Sequence, residues 1–423
     1  MKSMQKILYL FLLFSSISIA IAESPVALSG YYKNFSVALV PPGIKNSPSL
    51  YSSDSPLGLV NNRLRLNLSA KFNQTFSFTL AYDLSPRVQD PSLFEQQVFI
   101  TAINPDNYRV TDLHSRLYPS KNGNVKSFGL FQNLDRALFT IKTGWADLDI
   151  GRQAIAWGSA RIVNPTDIIA PFTFEELDTE DRIGVDAFRL RIPMGFMGEF
   201  DTGVIFGTDF KLKNSAWYLR NKFYIAKTDV SLLLIDFQEN LLAGIDLARS
   251  IGGAGGWCEA AYVIDNGFQH LRIDQSTNYA RATIGVDYNF NGKTYGFVEY
   301  HFSSAGATQR EHYLEIFNNL AISRGSIYLM GRHYLIPGMT YQLTPLIIAS
   351  GQILINLGDK SLFAAPQVEY NISENIYLSA GVFLSLGSQP ELQVDTGLLP
   401  TMAFQSEFGG YPDMVYTSFR IYF

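Results

Sequence analysis

The side chains of this sequence best suited to catalysis are His301 and Ser303. They stand two residues apart in a predicted strand, so both point to the same face. A histidine beside a serine is the minimal arrangement for an activated nucleophile, although the same spacing fits a chance polar pair at a strand end. Metal-ligand spacing is absent from the remaining histidines, which are His114, His270, His312 and His333. We therefore expect no enzyme activity, no cofactor and no metal site.

Charged side chains form the second candidate set, because they recur at every second position of apolar segments. Arg63 and Arg65 alternate with leucines, and Arg189 and Arg191 alternate with apolar residues in the same way. Charges on one face and apolar side chains on the other indicate strands with one face in water and one in an apolar medium. Such charges act on solutes by their sign and do not by themselves catalyse a reaction.

The elements that must position these charges are strands. Segments of about ten residues with period 2 follow one another along most of the chain, without helical interludes. Tyrosine and phenylalanine are abundant, at 23 and 31 residues, as in the aromatic girdles of membrane barrels. We predict about 18 strands, with 16 as the alternative. Two of them are placed at 324–334 and 340–354, and the segment 108–117 is either an extra strand or a structured loop.

The N-terminus carries the parts of an export signal. Lys2 and Lys6 precede a short apolar core that ends in Ala20-Ile21-Ala22. We predict a signal peptide over 1–22, cleaved after Ala22, and a single barrel over 23–423. The remaining chain has no run of about 20 apolar residues that would form a transmembrane helix. The formal net charge of the full 423-residue chain is −5. This acidic balance gives no reason to expect nucleic-acid binding.

The predicted connections alternate in length. Short ones, such as the Asn291-Gly292 hairpin, fall on one side, and the long ones fall on the other, at 40–58, 85–132, 158–182, 304–323 and 388–410. Outer-membrane barrels have short periplasmic turns and longer outer loops. The fold class predicted is therefore all-β: a transmembrane antiparallel β-barrel in the bacterial outer membrane, in contact with its lipids and lipopolysaccharide. The terminal Phe423 resembles the C-terminal signature that the barrel-assembly machinery reads.

The most distinctive stretch, over 147–191, joins a glycine-arginine strand to a proline-containing loop. Gly151-Arg152-Gln153 leads to Trp157-Gly158 and then to Asn164-Pro165-Thr166-Asp167. This stretch resembles a porin-like family of Gram-negative outer-membrane β-barrels, distantly similar to alginate-export-type channels. The resemblance implies a barrel with a passive diffusion role and names no substrate.

The acidic loop after Trp157 is long enough to fold back into the lumen. Its acids, facing Arg189 and Arg191, would set a transverse field across a constriction. The alternative is a solvated surface loop, with these arginines paired to acids of neighbouring strands such as Asp149. Arg152 has the wrong parity for the lumen unless Gly151 makes a bulge. The candidates for lining the pore or its constriction are Arg63, Arg65, Lys142, Asp149, Asp167, Glu175, Glu176, Arg189, Arg191, Arg220 and Arg281.

These observations predict an outer-membrane channel for the passive diffusion of small hydrophilic solutes. Lumen candidates of both signs are present, so the sequence does not choose between cations and anions, although the basic cluster on the second, fourth and sixth strands slightly favours anions. An uncharged sugar or an aromatic compound fits the sequence as well. The alternatives are a structural or adhesin barrel with a plugged lumen and a surface lipid hydrolase that uses His301 and Ser303.

Overall fold

The computed structural model describes residues 25–46, 55–95, 108–120, 123, 125–265, 277–317, 327–393 and 401–423. The predicted signal peptide over 1–22 lies outside the described residues. Within the described ranges, no helix has the length and apolar character needed to cross a membrane.

The described chain forms one large antiparallel sheet. It holds twenty strand segments, of which one is a three-residue outer strand and two are halves of a single wall strand interrupted at Ala365-Pro366. Eighteen wall strands result, as the sequence predicted. In chain order they are β1 (Val26–Val40), β2 (Leu57–Lys71), β3 (Phe76–Gln89), β4 (Phe128–Lys142), β5 (Asp147–Gln153), β6 (Val185–Met194), β7 (Gly198–Ile205), β8 (Ala216–Ile225), β9 (Thr228–Phe237), β10 (Asn240–Ile251), β11 (Ala254–Ile264), β12 (Tyr279–Asn289), β13 (Thr294–Ser303), β14 (His333–Thr344), β15 (Ile347–Asn356), β16 (Leu362–Ala364 and Gln367–Ser373), β17 (Ile376–Leu386) and β18 (Asp413–Tyr422).

Each wall strand pairs with its neighbours along the chain, and β18 pairs with both β17 and β1. At the closure Lys33 lies opposite Arg63 on one side and Arg420 on the other. A closed sheet leaves no strand edge unpaired, which is the condition for a sheet to span a bilayer.

The remaining elements are short and lie in the connections. The helices are Ser92–Glu95, Thr208–Phe210, Leu212–Asn214, Arg310–His312, Tyr313–Phe317 and Phe408–Gly410, and the strands outside the wall are Arg116–Tyr118, Glu391–Gln393 and Thr401–Ala403. Turns of a few residues join the strands at the end of the barrel that holds Pro25 and Phe423. One of them is built on Gly292, whose φ of +73° suits the Asn-Gly hairpin.

The two strands predicted at 324–334 and 340–354 are wrong in their bounds. β14 begins at His333, and the turn to β15 lies at Pro345-Leu346. The segment 327–330 has four consecutive apolar residues that are all buried, whereas a wall strand exposes every second side chain to lipid. The segment therefore packs inside the barrel. The number of strands is unchanged, because the turn between these two strands is present but lies further along the chain than predicted.

Glycines on the inner wall lie beneath aromatic rings of the neighbouring strand. A Cβ added at Gly285 would come within 2.3 Å of the Trp257 ring, and one added at Gly338 within 2.2 Å of the Phe297 ring. The two pairs are cross-strand neighbours, with Gly285 opposite Trp257 and Gly338 opposite Phe297. An aromatic ring that covers a strand glycine compensates for the side chain that glycine lacks.

We predict that Gly285→Ala destabilises the barrel by about 1–3 kcal/mol, because the new methyl group forces the Trp257 ring off the wall. Unfolding in urea, followed by tryptophan fluorescence in detergent, measures the change. Gly256→Ala is the matched control, since the nearest atom to a Cβ added there lies 3.8 Å away. Equal stability of the two variants would contradict the ring-on-glycine packing.

Candidate functional site

The connection between β5 and β6, residues 154–184, runs through the barrel lumen and is termed the strap. Side chains along it are fully or almost fully buried, although they come from a loop: Ile155, Trp157, Val163, Ile168, Ile169 and Phe174. Near its start the strap passes Gly158, whose φ is +104° and where a Cβ would lie 2.7 Å from the Glu259 carboxylate. Only glycine fits this close approach.

Glu259 of β11 holds the first arm of the strap. Its Oε2 atom accepts the backbone N–H groups of Ser159 and Ala160, both at 3.2 Å. Its Oε1 atom accepts the backbone N–H and the hydroxyl of Thr166, both at 2.7 Å. One buried carboxylate thus supplies acceptors to backbone donors that have left bulk water.

Glu299 of β13 acts in the same way on the next residues. It accepts the N–H groups of Arg161 and Ile162, the latter at 3.0 Å, and the indole N–H of Trp257 at 2.9 Å. The Ser159 hydroxyl donates to Asp246 of β10. Glu299 and Asp246 alternate with apolar residues as lumen acids should. Glu259 gave no such signal, because Trp257, Ala261 and Val263 share its face.

The acidic tip of the strap docks on the opposite wall. The Lys33 ammonium lies 2.7 Å from Asp178 and 2.7 Å from Glu180, and the Arg63 guanidinium lies 3.0 Å from Asp178. The Tyr31 hydroxyl donates to Asp181 at 2.5 Å. Lys33 is fully buried beneath these acids. The strap is therefore fixed at β10–β13 and at β1–β2, and it crosses the lumen between them.

The prediction that the loop acids oppose Arg189 and Arg191 is wrong in its partners. Arg189 pairs with Asp201 of the next strand at 2.6 Å, and Arg191 pairs with Asp149 at 2.8 Å. Pairing to neighbouring-strand acids was the alternative interpretation. Strand register explains this choice of partners. An acid on an adjacent strand lies closer to each arginine than the acids of the loop, which are already bound to other wall residues.

Other predicted wall residues are also paired. Arg63 and Arg65 share Asp83, and Arg65 reaches Asp135 at 2.8 Å. Arg220 lies 3.3 Å from Glu199. A further cation has a role that alternation did not suggest: Arg281 is buried and donates to the carbonyl of Pro165, inside the Asn-Pro-Thr-Asp motif. Lys142 is exposed and stands opposite Asp147 in the register.

The three candidate acids of the strap differ in environment. Asp167 is buried and forms an ion pair with Arg182; burial raises the pKa of its carboxyl to about 6 against the opposing effect of the arginine. Burial raises the pKa of Glu175 to about 8, so this side chain is largely neutral at pH 7. Glu176 is exposed and accepts only a weak bond from the Thr173 N–H, at 3.4 Å. Of the three, Glu176 presents charge to solvent.

Arg152 keeps the outward parity that the sequence assigned to it. The register runs without a bulge past Gly151, which has a φ of +113°. The Arg152 guanidinium binds Asp186 at 2.7 Å and Asp112 at 2.9 Å. This pairing ties the segment around Asp112 to the rim, so 108–117 is mainly structured loop, with a strand only at Arg116–Tyr118.

A second set of segments enters the lumen beside β14 and β15. Glu407 is fully buried, and its carboxylate accepts the Met330 N–H and the Asn356 side-chain N–H, both at 2.7 Å, together with the Tyr334 hydroxyl. Its own N–H donates to Asp359 at 2.7 Å. Burial raises the pKa of Glu407 from 4.5 to about 7. This one carboxyl joins the segments 327–332 and 404–411 to the wall.

His301 and Ser303 are both buried but are not hydrogen-bonded to each other in the described structure. The Nδ1 atom of His301 lies 2.8 Å from the Thr283 hydroxyl, which in turn donates to the Val163 carbonyl of the strap. The Ser303 hydroxyl has no partner among the described residues. His301 is thus linked to the strap through the Thr283 hydroxyl, and it is not hydrogen-bonded to Ser303.

The strap separates two unlike parts of the inner wall. Across β4–β8 a row of inward residues alternates in sign: Lys142, Asp147, Arg191, Asp201 and Arg220. Across β14–β18 the corresponding row is uncharged: Thr340, Ser350, Gln367, Gly381 and Tyr416. We call the inward faces of β2–β10 the charged arc and those of β14–β18 the neutral arc.

Comparison with known proteins supports the fold. Neither a family model nor a curated protein sequence matches the chain. Solved structures do: OccAB2 of Acinetobacter baumannii superposes with a TM-score of 0.56 at 8% identity, covering 95% of this chain and 99% of that one. The outer membrane protein OpdK of Pseudomonas aeruginosa superposes with a TM-score of 0.52 at 7% identity, covering 94% and 98%. A structure of OpdK with vanillate gives 0.52 at 8% identity, covering 94% and 98%.

These likenesses show that the chain has the antiparallel barrel architecture that the period of its strands predicted. The similarity to alginate-export-type channels stays a prediction.

We predict that Glu259→Gln loosens the strap, because an amide replaces one acceptor oxygen with a donor that faces the Ser159 and Ala160 N–H groups. Leaving buried donors unpaired costs about 1–3 kcal/mol each. Trypsin should then cleave after Arg161, whose side chain is half exposed, at least several-fold faster in the folded barrel. Glu374→Gln, in an exposed turn, is the matched control. Unchanged cleavage would remove Glu259 as the anchor.

We predict that the segments around Glu407 dock less firmly as the pH rises. A carboxyl whose folded pKa of about 7 exceeds its ordinary 4.5 binds protons more tightly when docked. Docking is therefore strongest below pH 4.5 and weakens by on the order of 3 kcal/mol up to pH 7. Hydrogen exchange of 327–332 and 404–411, corrected for its intrinsic pH dependence, measures this.

Glu407→Gln should abolish that pH dependence, and Glu315→Gln, on the outer surface, should leave it as it is. A pH dependence that survives in the Glu407 variant would assign the effect to another group.

Proposed function

We propose that this protein is an outer-membrane channel through which small hydrophilic solutes diffuse down their gradient. The proposal rests on the closed eighteen-strand wall with its polar inner face. Its outer face exposes apolar side chains such as Ile284, Val298 and Val415 to lipid. A barrel of this strand number encloses more space than its own side chains fill, and a strap that crosses the lumen narrows that space.

The charges of the lumen support selection of solutes at the strap. Most cations of the inner wall pair with an acid on a neighbouring strand. Glu176 of the strap has no such partner among the described residues, and its carboxylate is exposed to the lumen. OpdK, a barrel of the same architecture, has been crystallised with vanillate, a small aromatic carboxylate. Small organic solutes are accordingly the class we propose for this chain.

The C-terminus supports assembly into the outer membrane. Phe423 exchanges both backbone hydrogen bonds with Gly30, at 2.8 and 2.9 Å, so the last residue takes part in closing the barrel. We propose that this terminal strand is the segment the assembly machinery reads before closure.

A plugged barrel is the second candidate, favoured by the buried carboxyl of Glu407 and the two segments it fixes. The channel and the plugged barrel differ in conductance. Planar-bilayer recording of the refolded protein should give steady steps on the nanosiemens scale if the lumen conducts. A folded barrel without conductance would establish the plugged alternative.

We predict that Glu176→Lys shifts the selectivity of the channel toward anions. The substitution changes the charge by two units, each worth about 1 kcal/mol at about 4 Å in water, so the permeability ratio should change roughly thirtyfold. Reversal potentials under a salt gradient measure this ratio. Glu311→Lys, the same substitution on the exposed outer surface, is the control and should leave the ratio unchanged. An equal response of both variants would place the selectivity elsewhere than at the strap.

A further inference from the structure

A cavity of about 440 Å³ lies between the strap and the neutral arc. The strap contributes Phe172, Phe174 and Thr179, and the wall contributes Phe297, Gln352 and Gln367 among others. The volume falls within the range of about 300–1,000 Å³ that small-molecule sites occupy. The cavity is therefore large enough for a solute of one ring.

Aromatic rings lie flat on the wall of this cavity. Phe297 covers Gly338, and Tyr416 covers Gly381, where an added Cβ would lie 2.5 Å from the Tyr416 hydroxyl. Rings held against the wall in this way turn one face to the cavity and lose little conformational entropy when a solute binds. A flat aromatic face is suited to the C–H face of a saturated ring.

Uncharged donors and acceptors lie beside the rings. The Tyr416 hydroxyl donates to Gln367 Oε1 at 3.0 Å, and Gln367 Nε2 donates to the Ser350 hydroxyl at 3.1 Å. The amide of Gln367 retains a second N–H and a second lone pair. Amide and hydroxyl groups of this kind donate to and accept from the hydroxyl groups of a solute.

Charge is balanced on the wall side of the cavity, and the strap adds the exposed carboxylate of Glu176 to its lining. On the inward faces of β14–β18 the charged side chains are Glu369 and Arg420, which pair with each other. At the strap, Arg161 pairs with Asp287 at 2.7 Å. An anionic solute would leave water without gaining a free cation on the neutral arc and would meet the Glu176 carboxylate, which disfavours it. An uncharged solute has no such cost.

We propose that the neutral arc and the strap form a binding site for an uncharged, hydroxyl-rich ring solute of the carbohydrate class. This inference rests on the proposed channel function and adds the class of solute and the place where it binds. The charged arc, on the other side of the strap, is the part of the lumen suited to ions.

Glucose and glucuronate test the site, since the two rings differ only in the carboxylate at one carbon. Saturation-transfer difference NMR on the refolded full-length barrel in detergent reports binding whether or not the channel conducts. We expect glucose to bind with ring protons in contact with the protein and glucuronate to bind at least roughly tenfold more weakly, a difference of about 1.4 kcal/mol. Equal binding of the two, or no glucose binding, would overturn the proposal.

Two variants and a matched control locate the site. Phe297→Ala removes a ring face, and the isosteric Gln367→Glu places a charge in the neutral arc; each should raise the glucose Kd roughly tenfold. Ser231→Glu places the same charge in the charged arc and should leave the glucose Kd unchanged. Binding that none of the variants affects would refute this location.

The channel proposal fails separately. It is refuted by a folded barrel that binds glucose but passes no current, whereas a conducting barrel without glucose binding refutes only the carbohydrate site.

Discussion

A loop that enters a barrel lumen takes peptide N–H groups away from bulk water, and each of them needs an acceptor. Glu259 and Glu299 meet this constraint, because each accepts two or more backbone N–H groups between Ser159 and Thr166. The rest of the lumen depends on these two wall carboxylates. They fix the first arm of the strap on β11 and β13, so that the acidic tip reaches Lys33 and the lumen is divided in two.

The charges of the inner wall are organised by strand register. Lys142, Asp147, Arg191, Asp201 and Arg220 stand side by side with alternating sign, so opposite charges on adjacent strands stabilise one another. An ion pair with a buried member, such as that of Arg189 with Asp201, contributes little net stability but strongly disfavours the loss of one partner. The charged arc is thus a nearly balanced surface, whereas the exposed carboxylate of Glu176 belongs to the strap and lies beside the neutral arc.

The apolar interior of the barrel comes from loops as well as from strands. The segment 327–330 and Phe408 are buried, and Glu407 binds the backbone of the first segment to Tyr334 and Asn356 of the wall. A carboxyl with a pKa near neutrality in this position makes the docking of these segments sensitive to pH in the physiological range. At the tip of the strap the effect of burial is outweighed by the charges of Lys33 and Arg63, which lower the pKa of Asp178 instead.

The sequence by itself determined the wall. The period of two and the alternation of short and long connections predicted an antiparallel barrel, and eighteen strands were counted correctly even though one turn was placed wrongly. Parity alone also predicted a common lumen-facing side for Arg63, Arg189 and Arg191, because the side-chain period of a strand is a local property. Which charges form pairs depends on the folded barrel. Asp178 binds Lys33, 145 residues away, and Glu259 receives the strap although its neighbours on the same face are apolar. These contacts depend on barrel closure and on the path of the strap, and neither is recorded in the local pattern of residues.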